Sequence, residues 1–160
     1  MRRLLSLRTA CAALVLLVSP AVAAAQVSDS AAVMQALGTM LDAMRQRNVD
    51  GLRSIFHENA RMTLLRPAPG GGTRAVVLTG EQFIAAATNP NGPILDEPIR
   101  NPVLHIDADL ATVWAEYQVR IDGKVSHCGY DAFQFVRVGT VWKVIAVADT
   151  FRQQGCGAMW

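Results

Sequence analysis

At 160 residues, with 15 basic and 13 acidic side chains, the chain suits one domain large enough to bury a proper core. Three of the basic residues, Arg2, Arg3 and Arg8, precede an apolar run at residues 10–18 and a small-residue stretch ending in Ala23, Ala24 and Ala25, the pattern of a secretory signal peptide. Without that leader twelve basic residues face thirteen acidic ones, a net charge near −1, so the pI of about 8.6 belongs to the precursor and implies no nucleic-acid footprint.

The leader's apolar run falls short of the roughly 20 residues a membrane span needs, and no later stretch is long or apolar enough. Cys11 lies inside the run behind Thr9 and Ala10 without the leucine a lipoprotein signal carries. The reading is an exported protein, periplasmic or secreted, cleaved after Ala25 or Ala23, with residues 26–160 as one domain and no membrane contact thereafter. Cys128 and Cys156 remain in a compartment where disulfides persist, and a bridge between them is expected. A zinc site drawing on His127 or His57 lacks paired spacing such as C-x2-C or H-x3-H, so neither metal nor cofactor is expected.

Along the remaining chain, Ser28, Asp29 and Ser30 offer N-caps to a helix whose apolar positions Val33, Leu37, Met40, Leu41 and Met44 recur at three and four residues. Asp50 is placed to cap a short second helix with Leu52, Ile55 and Phe56 on one side. His57, Glu58 and Asn59 read as an exposed polar turn. Residues 60–65 and 74–78 read as a hairpin around Gly70, Gly71 and Gly72; no Gly-Lys-Ser or Gly-Lys-Thr follows these glycines, which argues against a phosphate loop. Thr79 and Gln82 have capping-box spacing for a third short helix, and residues 89–98, rich in proline and asparagine, read as loop.

From residue 99 the period drops to two. Residues 102–106, 110–121, 124–138 and 141–151 read as strands, joined in the last two cases by Asp122-Gly123, a type I′ signal, and Gly139-Thr140, which suits type II′. Counting outward from uninterrupted turns places Trp114 opposite Asp131 and Asp131 opposite Ala148. Opposed residues share a face. One face then holds Trp114, Glu116, Gln118, His127, Asp131, Phe133 and Phe135; the other holds Tyr117, Cys128, Tyr130 and Asp149. Both faces are apolar enough to need cover, the helices supplying one and a second subunit the other. A bulge would exchange the sets locally.

This layout resembles the nuclear transport factor 2-like (NTF2-like) superfamily, which includes SnoaL-like cyclases and ketosteroid isomerases. The residues that carry the likeness are VDGLRSIFHENA at 49–60, FQF at 133–135 and WKV at 142–144. SHCGYDAF at 126–133 with Ala148-Asp149-Thr150 is similar to a group of exported, largely uncharacterised proteins, some labelled lumazine-binding. The resemblance implies an α+β cone, N-terminal helices packed on a curved mixed or antiparallel sheet, with a cavity for a small molecule and a homodimer through the sheet. In ketosteroid isomerases an acid two residues before an aromatic on the penultimate long strand donates to the substrate oxyanion, and Asp131 before Phe133 matches that place. The base those enzymes carry on the first strand falls at about Leu64 and their first-helix tyrosine at about Met40. Neither side chain moves a proton, so steroid isomerase chemistry is not expected.

The expected ligand-binding residues are therefore Trp114, Gln118, Asp131, Phe133 and Phe135. Asp131, His127 and Glu116 form the candidate acid/base set for a SnoaL-like or dehydratase-like reaction. Asp131 is either a neutral buried donor or a structural carboxylate held by its neighbours, and His127 is a pocket-rim hydrogen-bonder or a base. Arg152 either closes the pocket or solvates the tail. Asp149, beside Tyr130 on the outer face, suits an intersubunit hydrogen bond. A third reading is an interaction module that recruits another protein through the convex face.

Overall fold

The computed structural model describes residues 20–159, with side-chain surroundings from Asp29 to Gly157; most of the expected leader lies outside the described residues. Helix α1 (Pro20–Arg45) runs upstream of the expected cap cluster and through the expected cleavage site, so Ser28 to Ser30 lie within it. Asp29 instead forms a two-oxygen ion pair with Arg137, at 2.8 and 2.5 Å, while Arg137 lies 4.5 Å over the Trp142 ring. Helix α2 (Val49–Ile55) is capped by Asn48, whose side chain accepts from the Gly51 N–H, rather than by Asp50. The Thr79–Gln82 capping box opens helix α3 (Gly80–Ala87) as expected.

The strands are β1 (Phe56–Pro67), β2 (Thr73–Thr79), β3 (Leu95–Asp96), β4 (Ile99–Asp107), β5 (Leu110–Ile121), β6 (Lys124–Val138) and β7 (Val141–Asp149), followed by a 3-10 turn at Cys156–Met159. They form one sheet in the order β2-β1-β7-β6-β5-β3, with β4 beside β3 along β5. Pairing is antiparallel throughout except between β1 and β7, which run parallel. The supposed turn at His57 to Asn59 is thus the start of β1, and the loop after α3 contains a two-residue strand.

Both long hairpins have the expected tight turns: Asp122 and Gly123 have φ of 50° and 79°, and Gly139 has φ of 63°. The counted register nevertheless fails a few residues from each turn. Between β5 and β6 the partners step from Arg120↔Val125 to Val119↔His127, leaving Ser126 as an extra residue. Between β6 and β7 they step from Phe135↔Val144 to Gln134↔Ala146, leaving Ile145 extra. Each extra residue moves the remainder of one strand to the opposite face.

The inner face of the sheet carries Ala115, Tyr117, Phe133, Phe135 and Val144, each 1 % exposed or less, and packs against Val33, Leu37, Met40 and Met44 of α1 and Ile84 of α3. The tail after β7 is held on the outer side. Cys128 and Cys156 are joined in a disulfide with a Cα separation of 5.5 Å, and the Cys128 and Arg152 backbones exchange two hydrogen bonds of 2.9 Å. Gly129 has to be glycine where this segment leaves the sheet: a β-carbon there would stand 2.2 Å from the Thr150 carbonyl oxygen and 2.8 Å from the Tyr117 ring.

Candidate functional site

A cavity of about 200 Å³ lies between the inner sheet face and the helices. Its apolar wall comes from Met40 and Met44 of α1, Met62 and Leu64 of β1, Leu78 of β2 and Phe83 of α3. Its polar wall is Arg66, Glu97, His127, Asp131 and Asp149. Alternation along β1 sends Met62, Leu64 and Arg66 to the same side, and the parallel pairing of Leu64 with Asp149 sets Arg66 beside the end of β7. There the Arg66 guanidinium donates to both Asp149 oxygens, at 2.8 and 2.7 Å, and the Leu65 N–H donates to one of them at 2.8 Å. Phe151 stacks 5.3 Å beneath the same guanidinium.

Asp131 is 2 % exposed, pairs across the strands with Asp149, and shares the polar wall of the cavity with Glu97. Its Oδ2 oxygen has no hydrogen-bond partner. Burial, then the neighbouring Glu97 and Asp149 carboxylates, push the Asp131 pKa well above the usual carboxylate range. Burial and Asp149 likewise push Glu97 up to about 8, against a smaller opposing pull from Arg66. Burial also raises Asp149, although the bond from Arg66 offsets part of that rise. Two carboxyls this close, in a poorly solvated wall, hold protons that water would remove.

His127 is held between the Phe151 ring, 4.7 Å away, and the Tyr117 ring, 5.8 Å away edge-on, with Nδ1 3.1 Å from the Ser126 hydroxyl. Burial first, and Arg66 second, lower its pKa to about 4, so the imidazole is neutral at pH 7. The Tyr117 hydroxyl donates to the Thr150 carbonyl at 2.6 Å and is thereby committed to the frame.

These groups give opposite pH dependences. Folded Glu97 keeps its proton to about pH 8, whereas an unfolded glutamate releases it near 4.5; the folded form therefore binds more protons across that window, and stability falls as pH rises. His127 works the other way between about 4 and 6.5, where the unfolded chain holds the extra proton. The window from pH 6.5 to 8 isolates the acids. There the thermal unfolding midpoint should fall with pH in the wild type and fall less steeply in Glu97→Gln; equal slopes would remove Glu97 from the titrating group.

Of the expected site residues, Asp131, Phe133, Phe135 and His127 face inward, Phe133 and Phe135 as buried core and the other two at the cavity. Trp114, Glu116 and Gln118 do not. The Ser126 irregularity pairs Trp114 with Ala132 rather than Asp131, and Trp114 is 48 % exposed on the outer face, stacked 5.3 Å from Tyr130. Glu116 accepts from Arg100 at 3.0 Å on that same face, so it cannot join His127 and Asp131 in one acid/base set. Gln118 is buried beneath the tail, donating to the Cys156 carbonyl at 3.2 Å. Asp149, assigned to the outer face, lies inside because of Ile145, and Arg152 sits over Tyr130 outside.

Three polar residues of the wall, Arg66, Glu97 and Asp149, were not among the candidates. Arg66 was within reach of the strand alternation, two residues beyond Leu64. Glu97 stands in a proline-bounded segment with no periodicity, and only the pairing of β3 and β4 along β5 brings it to Asp131.

No family model matches the chain, and no curated protein sequence does. Solved structures do. An NTF2-like protein from Cytophaga hutchinsonii is 18% identical, covering 75% of this chain and 95% of its own, with a TM-score of 0.62. A Mycobacterium tuberculosis protein of unknown function is 11% identical over 81% of this chain and 75% of its own, at a TM-score of 0.66. The hexachlorocyclohexane dehydrochlorinase LinA-type3 of Novosphingobium barchaimii is 18% identical over 79% of this chain and 88% of its own, at 0.60. At such identities the likeness establishes the fold, α+β and NTF2-like with helices on a curved mixed sheet, and leaves activity to the site.

Proposed function

We propose that this NTF2-like domain binds a small, partly apolar molecule in the cavity between sheet and helices, with Asp131 and Glu97 meeting the ligand's polar end. The observation that carries this reading is the buried Asp131 carboxyl in the polar wall of a cavity whose other wall is methionine, leucine and phenylalanine; its Oδ2 has no hydrogen-bond partner of its own. A buried polar atom left without a partner is destabilising, and a ligand that satisfies it binds the folded state alone. A ligand at about 100 times its Kd should stabilise the protein by roughly 2.7 kcal/mol. That stabilisation should vanish in Leu78→Trp, which fills the cavity, weaken in Asp131→Asn, and persist in Trp114→Ala. Full stabilisation of Leu78→Trp would refute the site.

A second reading is acid/base catalysis in the same cavity, a SnoaL-like or dehydratase-like reaction. It is favoured by a neutral His127 on the wall that holds the protonated acids. It uses His127, Asp131 and Glu97 without Glu116, and turnover unchanged in both His127→Gln and Asp131→Asn would exclude it.

The outer face suits a second copy of the chain. Trp114 and its strand neighbour Val103 are 48 % and 50 % exposed, an aromatic and aliphatic patch beside the Tyr130 ring. Wild-type protein should sediment as a dimer and Trp114→Glu as a monomer; a monomeric wild type points to a different partner for that face. Export accords with the formed disulfide and with the finding that no described helix is long and apolar enough to cross a membrane.

A further inference from the structure

We infer that the cavity selects a protonated amine with an apolar body over a neutral alcohol or a carboxylate of the same shape. This rests on the reading of the cavity as a ligand site and narrows it to a chemical class. The charges on the side chains that reach the cavity from the elements around it decide the preference. Helices α1 and α3 contribute only apolar groups there, Met40, Met44 and Phe83 among them. Strand β1 brings the cation Arg66, but Asp149 of β7 takes that guanidinium with both oxygens and Phe151 covers its plane. Among the described residues lining the cavity Arg66 is the one cation, and its charge is already balanced by Asp149.

What remains is acidic. Asp131 of β6 and Glu97 of the β3–β4 connection both line the cavity, and the one cavity-wall side-chain atom among the described residues that is buried without a hydrogen-bond partner is an Asp131 oxygen, an atom that accepts when the pair is ionised. Asp96, next along the chain, adds a third carboxylate near Glu97 and is engaged by Arg45 and Arg120. His127 is neutral and the Tyr117 hydroxyl is spent on Thr150. A ligand ammonium between Met40, Met44 and Phe83 and this pair would find a carboxylate for its N–H donors and a polarisable wall for its chain.

Binding of this kind displaces a proton: the ligand arrives as R–NH3+, the acid pair ionises, and one H+ leaves to solvent. The free pair holds that proton up to about pH 8. Affinity should therefore rise about tenfold per pH unit from 6 to 8 and level off above, until the amine itself loses its proton near pH 10.4.

The experiment compares n-hexylamine, 1-hexanol and hexanoate by isothermal titration calorimetry on the disulfide-bonded mature domain from pH 6 to 8.5. Buffers of different ionisation enthalpy count the released protons. We expect hexylamine to bind at least tenfold more tightly than hexanol at pH 8, to release about one proton at pH 7, and to follow the stated slope. Glu97→Gln and Asp131→Asn should each weaken hexylamine at least tenfold and flatten its pH profile while sparing hexanol, a result that loss of folding would not produce. Equal affinity for hexylamine and hexanol overturns the inference and leaves the cavity reading standing, and tighter binding of hexanoate does the same by pointing to Arg66. Binding of none of the three overturns both.

Discussion

Arg66→Met should destabilise the protein by about 3 to 5 kcal/mol at pH 8, because it strands a buried carboxylate. Asp149 keeps only 8% of its side-chain surface, and besides Arg66 it has one hydrogen bond, from the Leu65 N–H. Methionine keeps the stem that packs against Phe151 and removes the charge alone. The loss should depend on pH with a definite sign. Without Arg66 the folded-state pKa of Asp149 rises further, so the folded variant binds a proton that the unfolded chain releases near pH 3.9. The penalty should therefore be small at pH 4 and grow toward pH 8. Urea unfolding at several pH values measures it, and Arg66→Met with Asp149→Leu should recover most of the loss, since an apolar pair leaves no charge uncompensated. A pH-independent penalty would mean that Arg66 acts through packing.

Removing the disulfide should cost about 3 to 4 kcal/mol. The bridge closes a loop of 28 residues in sequence, and the chain-entropy model assigns that magnitude to its constraint on the unfolded state. A double Cys128→Ala, Cys156→Ala variant should unfold roughly 10 °C or more below the wild type. Its effect should also reach the cavity. The tail that the bridge pins contains Phe151, which packs on both His127 and Arg66, and Cys156, whose carbonyl caps buried Gln118. We expect faster amide exchange at Thr150 to Arg152 and a rise in the His127 pKa from about 4, followed by NMR, as water reaches the ring. Denatured, unreduced wild type should show no free thiol from this pair.

Several features of this protein were legible from local pattern. The spacing of Val33, Leu37, Met40 and Met44 announces a buried helix face because a helix repeats every 3.6 residues whatever it packs on. Asp122-Gly123 and Gly139-Thr140 announce tight turns because few residues tolerate positive φ. Asp131, His127, Phe133 and Phe135 were placed on the inner face correctly, since β6 keeps unbroken alternation from His127 through Phe135.

The pairing of Cys128 with Cys156 and the cone architecture were likewise within reach. What alternation on one strand cannot supply is its phase relative to the next. Ser126 and Ile145 each occupy one extra position, their own side chains give no sign of it, and a shift of one residue carried Trp114, Glu116 and Gln118 out of the cavity and Asp149 into it. Glu97 was out of reach for a related reason: its partner Asp131 is 34 positions away in the chain, and their meeting depends on strands β3 and β4 folding along β5. The local code thus decided most of the helices, strands and tight turns, though not the start of β1 at His57 or the short strand β3, and it decided which inner residues β6 presents. Which side chains line the proposed site, Asp131 and Glu97 with Arg66 and Asp149 among them, was decided by strand register and loop placement, because those depend on packing between distant segments.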